Sequence, residues 1–228
     1  MDNTQANPPT PTLPPNSTGA PYAGETLPPD EPSDNESKSN IKGILSTIAI
    51  LVIAPLIALA LTAFVFQSYE VDGPSMETTL QNRDRLIVYK LPRTIARLTG
   101  RAYLPKRGDI IIFSREDSFE FGSNQKRQLI KRVMALPGER VTVKDGILKV
   151  YNDANPQGFR PDDSSYGKVI VTTPGEDIDI TVGEDQIYVC GDNRPNSLDS
   201  RSFGPIDLKD VVGRLAIRVY PFGKSKTF

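Results

Sequence analysis

One stretch of this chain is apolar all round, and several others alternate. No charged residue occurs from Gly43 to Tyr69, and the apolar core runs from Ile44 to Phe66. As a helix those 23 residues span roughly 34 Å, against about 30 Å of bilayer hydrocarbon. A soluble helix of that length needs a polar face, so the pattern predicts a transmembrane helix over residues 41–67. Pro55, at mid-span, is tolerated there. Ala58-Leu59-Ala60 also resembles a cleavage triplet, but the apolar run continues past it and is too long for a cleavable signal.

Beyond the span the period is that of strands. Asp109–Phe113, Gln128–Met134, Gln186–Cys190 and Val212–Val219 read as β-runs. Val141–Val143 and Ile147–Val150 flank Lys144-Asp145-Gly146, a hairpin signal. Leu136-Pro137-Gly138 suits a tight turn. Residues 93–104 and 152–184 are rich in turn formers and read as insertions. The expected body, residues 68–228, is therefore an all-β, antiparallel-sheet domain behind one N-terminal transmembrane helix. Residues 1–40 hold nine prolines and a net charge of −5, with too few apolar groups to order, so they read as a disordered tail. A docking segment for a proline-binding partner is the other reading.

Charge sets orientation and excludes partners. Lys38 and Lys42 precede the span, while Glu70 and Asp72 follow it, which puts the tail in the cytoplasm and the body across the membrane. The whole chain carries a net charge of −1, no footprint for nucleic acid. There is no histidine and one cysteine. A Ser-His-Asp or Cys-His hydrolase is thereby excluded, as is a Cys/His zinc site. Proton transfer falls to Lys, Asp, Glu or Tyr.

Three places carry candidate chemistry. Lys131 shares a strand face with Leu129 and Val133. Buried, its amine would lose its proton readily and serve as a base; on a solvated face it merely snorkels. Ser75 follows Gly73-Pro74 and stands nine residues beyond Phe66. It is either a nucleophile presented at a turn or the N-cap of Met76–Leu80. Gly191–Arg201 is a polar loop after a strand, with Asp199 and Arg201 spaced to form a bidentate pair. Cys190 reads as core filler.

In combination these blocks resemble the type I signal peptidase family, membrane-bound Ser/Lys endopeptidases that release exported proteins from their signal peptides. Pro74–Leu80, Arg107–Phe113, Leu129–Gly138 and Gly191–Arg201 match in order, and the similarity spans roughly Tyr69 to Val219. The resemblance implies Ser75 as nucleophile, Lys131 as general base and Ser197 as the hydroxyl that orients the amine. Asp199, Arg132, Arg201 and Asp192 fall on the polar support. The Ser75 N–H falls on the oxyanion hole. Gly73 stands where some relatives add a hydroxyl, leaving a backbone donor there. Thr78 and Ala135 replace a common Pro and Gly. Val71, Met76, Leu80 and Ile130 would line the first substrate pocket, with Tyr69 and Ile112 at the second, for Ala-x-Ala sites. No metal or cofactor is implied. The implied partners are signal-peptide-bearing preproteins, membrane lipid and, by proximity, the export machinery. The implied location is a bacterial plasma membrane or a thylakoid. A processing protease of the same clan with another target, and a non-enzymatic membrane-anchored binding module, are the alternatives.

Overall fold

The computed structural model describes residues 34–77, 79–116, 126–163 and 174–228. The chain divides into two units, Met1–Ile48 and Ala49–Phe228. The tail up to residue 33 lies outside the described residues, as does Thr78. In the first unit, the N-terminal part of helix α1 (Asp34–Ala60) is described. Residues 34–40, expected to be disordered, are thus helical. Once the apolar segment nucleates a helix, each added residue gains a hydrogen bond at little cost, which draws in the polar residues ahead of it.

The second unit opens with the rest of α1, which ends in one wider π turn, Leu61–Val65. The helical stretch Ile41–Val65 has a mean hydropathy of 2.8 and is not buried by protein, as a membrane span requires. Phe66 and Gln67 leave the helix and open β1 (Phe66–Glu70), because Phe66 pairs with Tyr89 of β2 (Arg85–Tyr89). Helix α2 (Leu91–Leu98) follows. It occupies the first expected insertion: its Leu91, Ile95 and Leu98 repeat at helical spacing, and Pro92 is accepted in the first turn.

Strands β3 (Ile110–Glu116) and β4 (Lys126–Ala135) come next. The hairpin β5 (Arg140–Lys144) and β6 (Ile147–Asn152) turns through Asp145 and Gly146, both at positive φ, which matches the right-handed strand twist. β7 (Asn155–Phe159) and β8 (Ile178–Thr181) lie in the second expected insertion, which therefore extends a sheet; residues 164–173 are outside the described set. Then come β9 (Gln186–Cys190), the short α3 (Ser200–Phe203), β10 (Ile206–Asp207), β11 (Val211–Tyr220) and β12 (Lys226–Thr227).

All described pairings are antiparallel. One sheet runs β1-β2-β11-β3-β4-β9-β10, with β12 on β11; the other runs β7-β6-β5-β8. The expected all-β body is present. Its register positions the chemistry. Phe66 pairs with Tyr89, Tyr89 with Arg214, Arg214 with Ile111 and Ile111 with Lys131. One rung thus joins the first residue after the apolar helix to Lys131. Along β4, Ile130 packs on the cluster of Val71, Met76, Leu80, Leu86, Ile110 and Leu215, while Val133 enters another with Phe113 and Val189.

Candidate active site

Ser75 sits on the loop between β1 and β2, which is closed at its base. The Val71 N–H donates to Asp84 O (2.9 Å), and the Arg83 N–H to Val71 O (2.8 Å). Asp84 accepts from the Gln81 N–H and from Arg218, which also donates to Thr79 O. Met76 and Leu80 are fully buried and pin the loop from beneath. Burial of two such side chains contributes about 1.5–3 kcal/mol each. Ser75, Met76, Glu77 and Thr79 lie in turns, with the Glu77 N–H donating to Pro74 O, and the described residues of this loop form no helix for Ser75 to cap. Gly73 sits at φ +98°, a conformation that favours glycine. Its N–H donates to Asn82 Oδ1 at 3.1 Å.

Lys131 enters this loop from β4. It is 3% exposed, and its Nζ lies 2.8 Å from Ser75 Oγ and 3.1 Å from Ile130 O. Among the described residues no carboxylate touches it. Burial pushes its amine from the usual 10.5 down to about 8; Asp199, Cys190 and Asp192 pull the other way without restoring it. The snorkelling alternative is therefore removed by the packing of β4: from Lys131 to Ala135 both strand faces are covered.

The loop after β9 forms the third wall. Gly191 lies so close that a Cβ there would be 2.5 Å from Ser75 O and 2.2 Å from Ser197 Oγ. The Asn193 N–H donates to Ser75 O (3.0 Å) and its side-chain amide to Pro74 O (3.1 Å), fastening the nucleophile turn. Asp199 is fully buried and accepts a fork from Arg201, both bonds 2.9 Å, as its i, i+2 spacing predicts. It also accepts from the Gly191 N–H and caps α3. Burial would raise this carboxyl, but Arg201 and the Gly191 N–H hold it below the ordinary value. Arg132 forms a second fork, with Asp192 (2.8 and 2.6 Å), and reaches Gly108 O. Ser197 Oγ is buried beside Asp199 and helps to lower its carboxyl, and among the described residues no bond joins it to Lys131.

A cavity of about 110 Å³ adjoins the dyad, bordered by Tyr69, Val71, Ile112, Ile130, Ser75 and Lys131. Of the expected pocket residues, Tyr69, Val71, Ile112 and Ile130 border the cavity. Met76 and Leu80 do not border it: both are fully buried in the core cluster that includes Val71. Sequence reasoning missed Gln128 and Leu86, which also border the cavity, and the clamping roles of Gly191 and Asn193. A glycine directly after a strand was the one available signal of close backbone approach. It also missed Arg194, wholly buried in a pair with Asp162 at 2.5 Å. Cys190 is buried beside Met134 and Tyr188, and burial pushes its thiol up to about 12. Among the described residues no cluster of three or more acidic or cysteine side chains converges for a metal.

Comparison with known proteins gives one answer. The family described as "Signal peptidase, peptidase S26" matches residues 44–220. A signal peptidase I of Bacillus licheniformis is 31% identical over 196 residues, covering 85% of this chain and 98% of that one. Signal peptidase I T of Bacillus subtilis (strain 168) is 33% identical, covering 77% and 85%. A probable signal peptidase I-2 of Synechocystis sp. is 32% identical, covering 75% and 71%. A crystal structure of a signal peptidase I from Enterococcus faecalis V583 is 28% identical and covers 49% of this chain and 97% of that one, at a TM-score of 0.35. With the match running from within the apolar helix to the last residue of β11, the chain belongs to the signal peptidase family, peptidase S26.

Proposed function

We propose that Ser75 and Lys131 form the catalytic dyad of this signal peptidase and that it cuts after Ala-x-Ala. The protein is a membrane-anchored serine endopeptidase whose substrates carry signal peptides. The observation that carries the proposal is the 2.8 Å approach of a buried lysine amine, touched by no described carboxylate, to a serine hydroxyl. Neutral Lys131 takes the Ser75 proton as Oγ attacks the scissile carbonyl carbon. The Ser75 N–H stabilises the oxyanion. Gly73 supplies no second donor in the present arrangement, since its N–H is engaged by Asn82. The C–N bond breaks, and the Lys131 ammonium returns the proton to the departing amine of the mature protein. Water, deprotonated by Lys131, then hydrolyses the acyl ester and frees the signal peptide. Asp199 with Arg201, and Arg132 with Asp192, hold in register the elements that carry the two reacting groups.

Specificity follows from edges and volume. Among the described residues β1 is unpaired on one side, and β4 is paired by β9 only from Arg132 onward. Both free edges border the cavity, so an extended peptide can bond to either, with alternate side chains facing the same wall. About 110 Å³ is far below a whole-ligand pocket of ~300–1,000 Å³ and suits small side chains. The Lys38 and Lys42 pair supports a cytoplasmic N-terminus and a body on the far side, near the preproteins delivered by the export machinery. The test is cleavage of a purified precursor by the full chain in lipid. Ser75→Ala and Lys131→Ala are each expected to lose at least ~10⁴-fold in turnover. Replacing the final Ala of the site by Leu is expected to stop wild-type cleavage. Normal turnover by either variant removes that residue from the mechanism.

A further inference from the structure

We propose that the segment Lys90–Lys106 is a second attachment to the bilayer, lying in its interface and taking anionic lipid headgroups. The attachment rests on the membrane anchor and not on the cleavage chemistry.

Its position comes first. Helix α2 is fastened to the end of the apolar helix. The Lys90 N–H donates to Val65 O (2.7 Å), its Nζ to Ala63 O (2.9 Å) and Gln67 Oε1 (3.1 Å), and the Thr94 hydroxyl to Phe64 O (3.0 Å). The last carbonyls of a helix have no partner of their own, so these bonds cap it. Where the span leaves the hydrocarbon, α2 is therefore at the same depth.

The side chains then match that depth. Leu91, Ile95 and Leu98 stand at i, i+4 and i+7 on one face. Ile95 is 51% and Leu98 83% exposed, an apolar ridge that the described residues leave uncovered. Arg93 and Arg97 lie on the opposite face. From Lys90 to Lys106 there are five basic residues and no acid. Arg97, Arg101 and Lys106 are exposed, and neither Arg97 nor Arg101 makes an ion pair among the described residues. Glu184, Asp185 and Asp207 border the same cleft, but Asp207 is held by Lys209 at 2.7 Å and by Gln186 at 3.0 Å. A short helix with an apolar ridge, unpaired arginines and a tether at the membrane boundary has the chemistry of an interfacial segment on an anionic surface. A soluble protein partner would leave the tether and the charge bias without a reason. Through the rung from Phe66 to Lys131, α2 would also fix the height of the groove above the lipid.

The test uses the full chain in vesicles, with an environment-sensitive fluorophore on Leu98→Cys. Cys190 is buried and stays unlabelled. A label on Lys144→Cys, at the exposed end of β5, is the reference. In phosphatidylglycerol-containing vesicles the Leu98 label is expected to be quenched by shallow spin-labelled lipid and the Lys144 label to be spared. In pure phosphatidylcholine the Leu98 quenching is expected to fall. Arg97→Gln with Arg101→Gln is expected to weaken insertion about tenfold on the anionic vesicles, with thermal unfolding unchanged as the fold control. Equal quenching at Leu98 and Lys144 overturns the attachment. Equal quenching of Leu98 with and without phosphatidylglycerol overturns the headgroup preference.

Discussion

Two neighbours on β4 present opposite solutions to a buried positive charge. Lys131 is 3% exposed and Arg132 8%. Arg132, on one face, is met by both oxygens of Asp192 and by Gly108 O. Lys131, on the other, meets a hydroxyl and a backbone carbonyl. A paired charge stays charged and fixes two elements together. An unpaired one gives up its proton instead. Burial alone does not make a lysine a base; burial without a carboxylate does. Asp199 is nearby, but Arg201 and the Gly191 N–H engage it.

That contrast can be broken from the support side with the largest stability effect. Asp192→Ala leaves Arg132 buried and unpaired, and is expected to cost about 3–5 kcal/mol in denaturant unfolding. Breaking it from the site side moves stability in the other direction. Below pH 8 Lys131 is protonated in both folded and unfolded states, so the full cost of burying its charge is present; it is relieved as pH rises from about 8 toward 10.5. Lys131→Met is therefore expected to abolish cleavage yet stabilise the fold by about 3 kcal/mol at neutral pH, and to lose the wild type's gain in stability over that window. Thermal unfolding in detergent at pH 7 and 9.5 checks both. The smallest expected change sharpens the geometry. Gly191→Ala forces a methyl against Ser75 O and is expected to cost about 1–3 kcal/mol while slowing cleavage, read by the same two assays.

How far the sequence led depended on whether the signal was local. The span and strands β3, β4, β5, β6, β9 and β11 are written in uninterrupted or alternating apolar runs. β1, Phe-Gln-Ser-Tyr-Glu, has no such run and is a strand because β2 pairs with it. Pro92 and Gly100 hid α2, although its Leu91/Ile95/Leu98 period was present. At the candidate site, Asp199 with Arg201 was legible because the pair is two residues apart. Arg132 with Asp192 and Arg194 with Asp162 were not, since each joins residues that only the fold brings together. Ser197 was placed against Lys131 by resemblance; in the structure its hydroxyl is buried beside Asp199, and no bond to Lys131 is made among the described residues. The Ser75–Lys131 approach itself spans 56 residues and rested on matched blocks, not on local pattern.

The most direct measurement of the central claim is the pH dependence of kcat/KM for wild-type enzyme on a precursor whose own charges do not titrate between pH 6 and 10. That parameter reports the ionisation of the free enzyme. Because burial lowers the Lys131 amine to about 8, the rate is expected to rise about tenfold per pH unit below that point and to level above it. A profile flat from pH 6 to 10 would contradict a neutral lysine as the base.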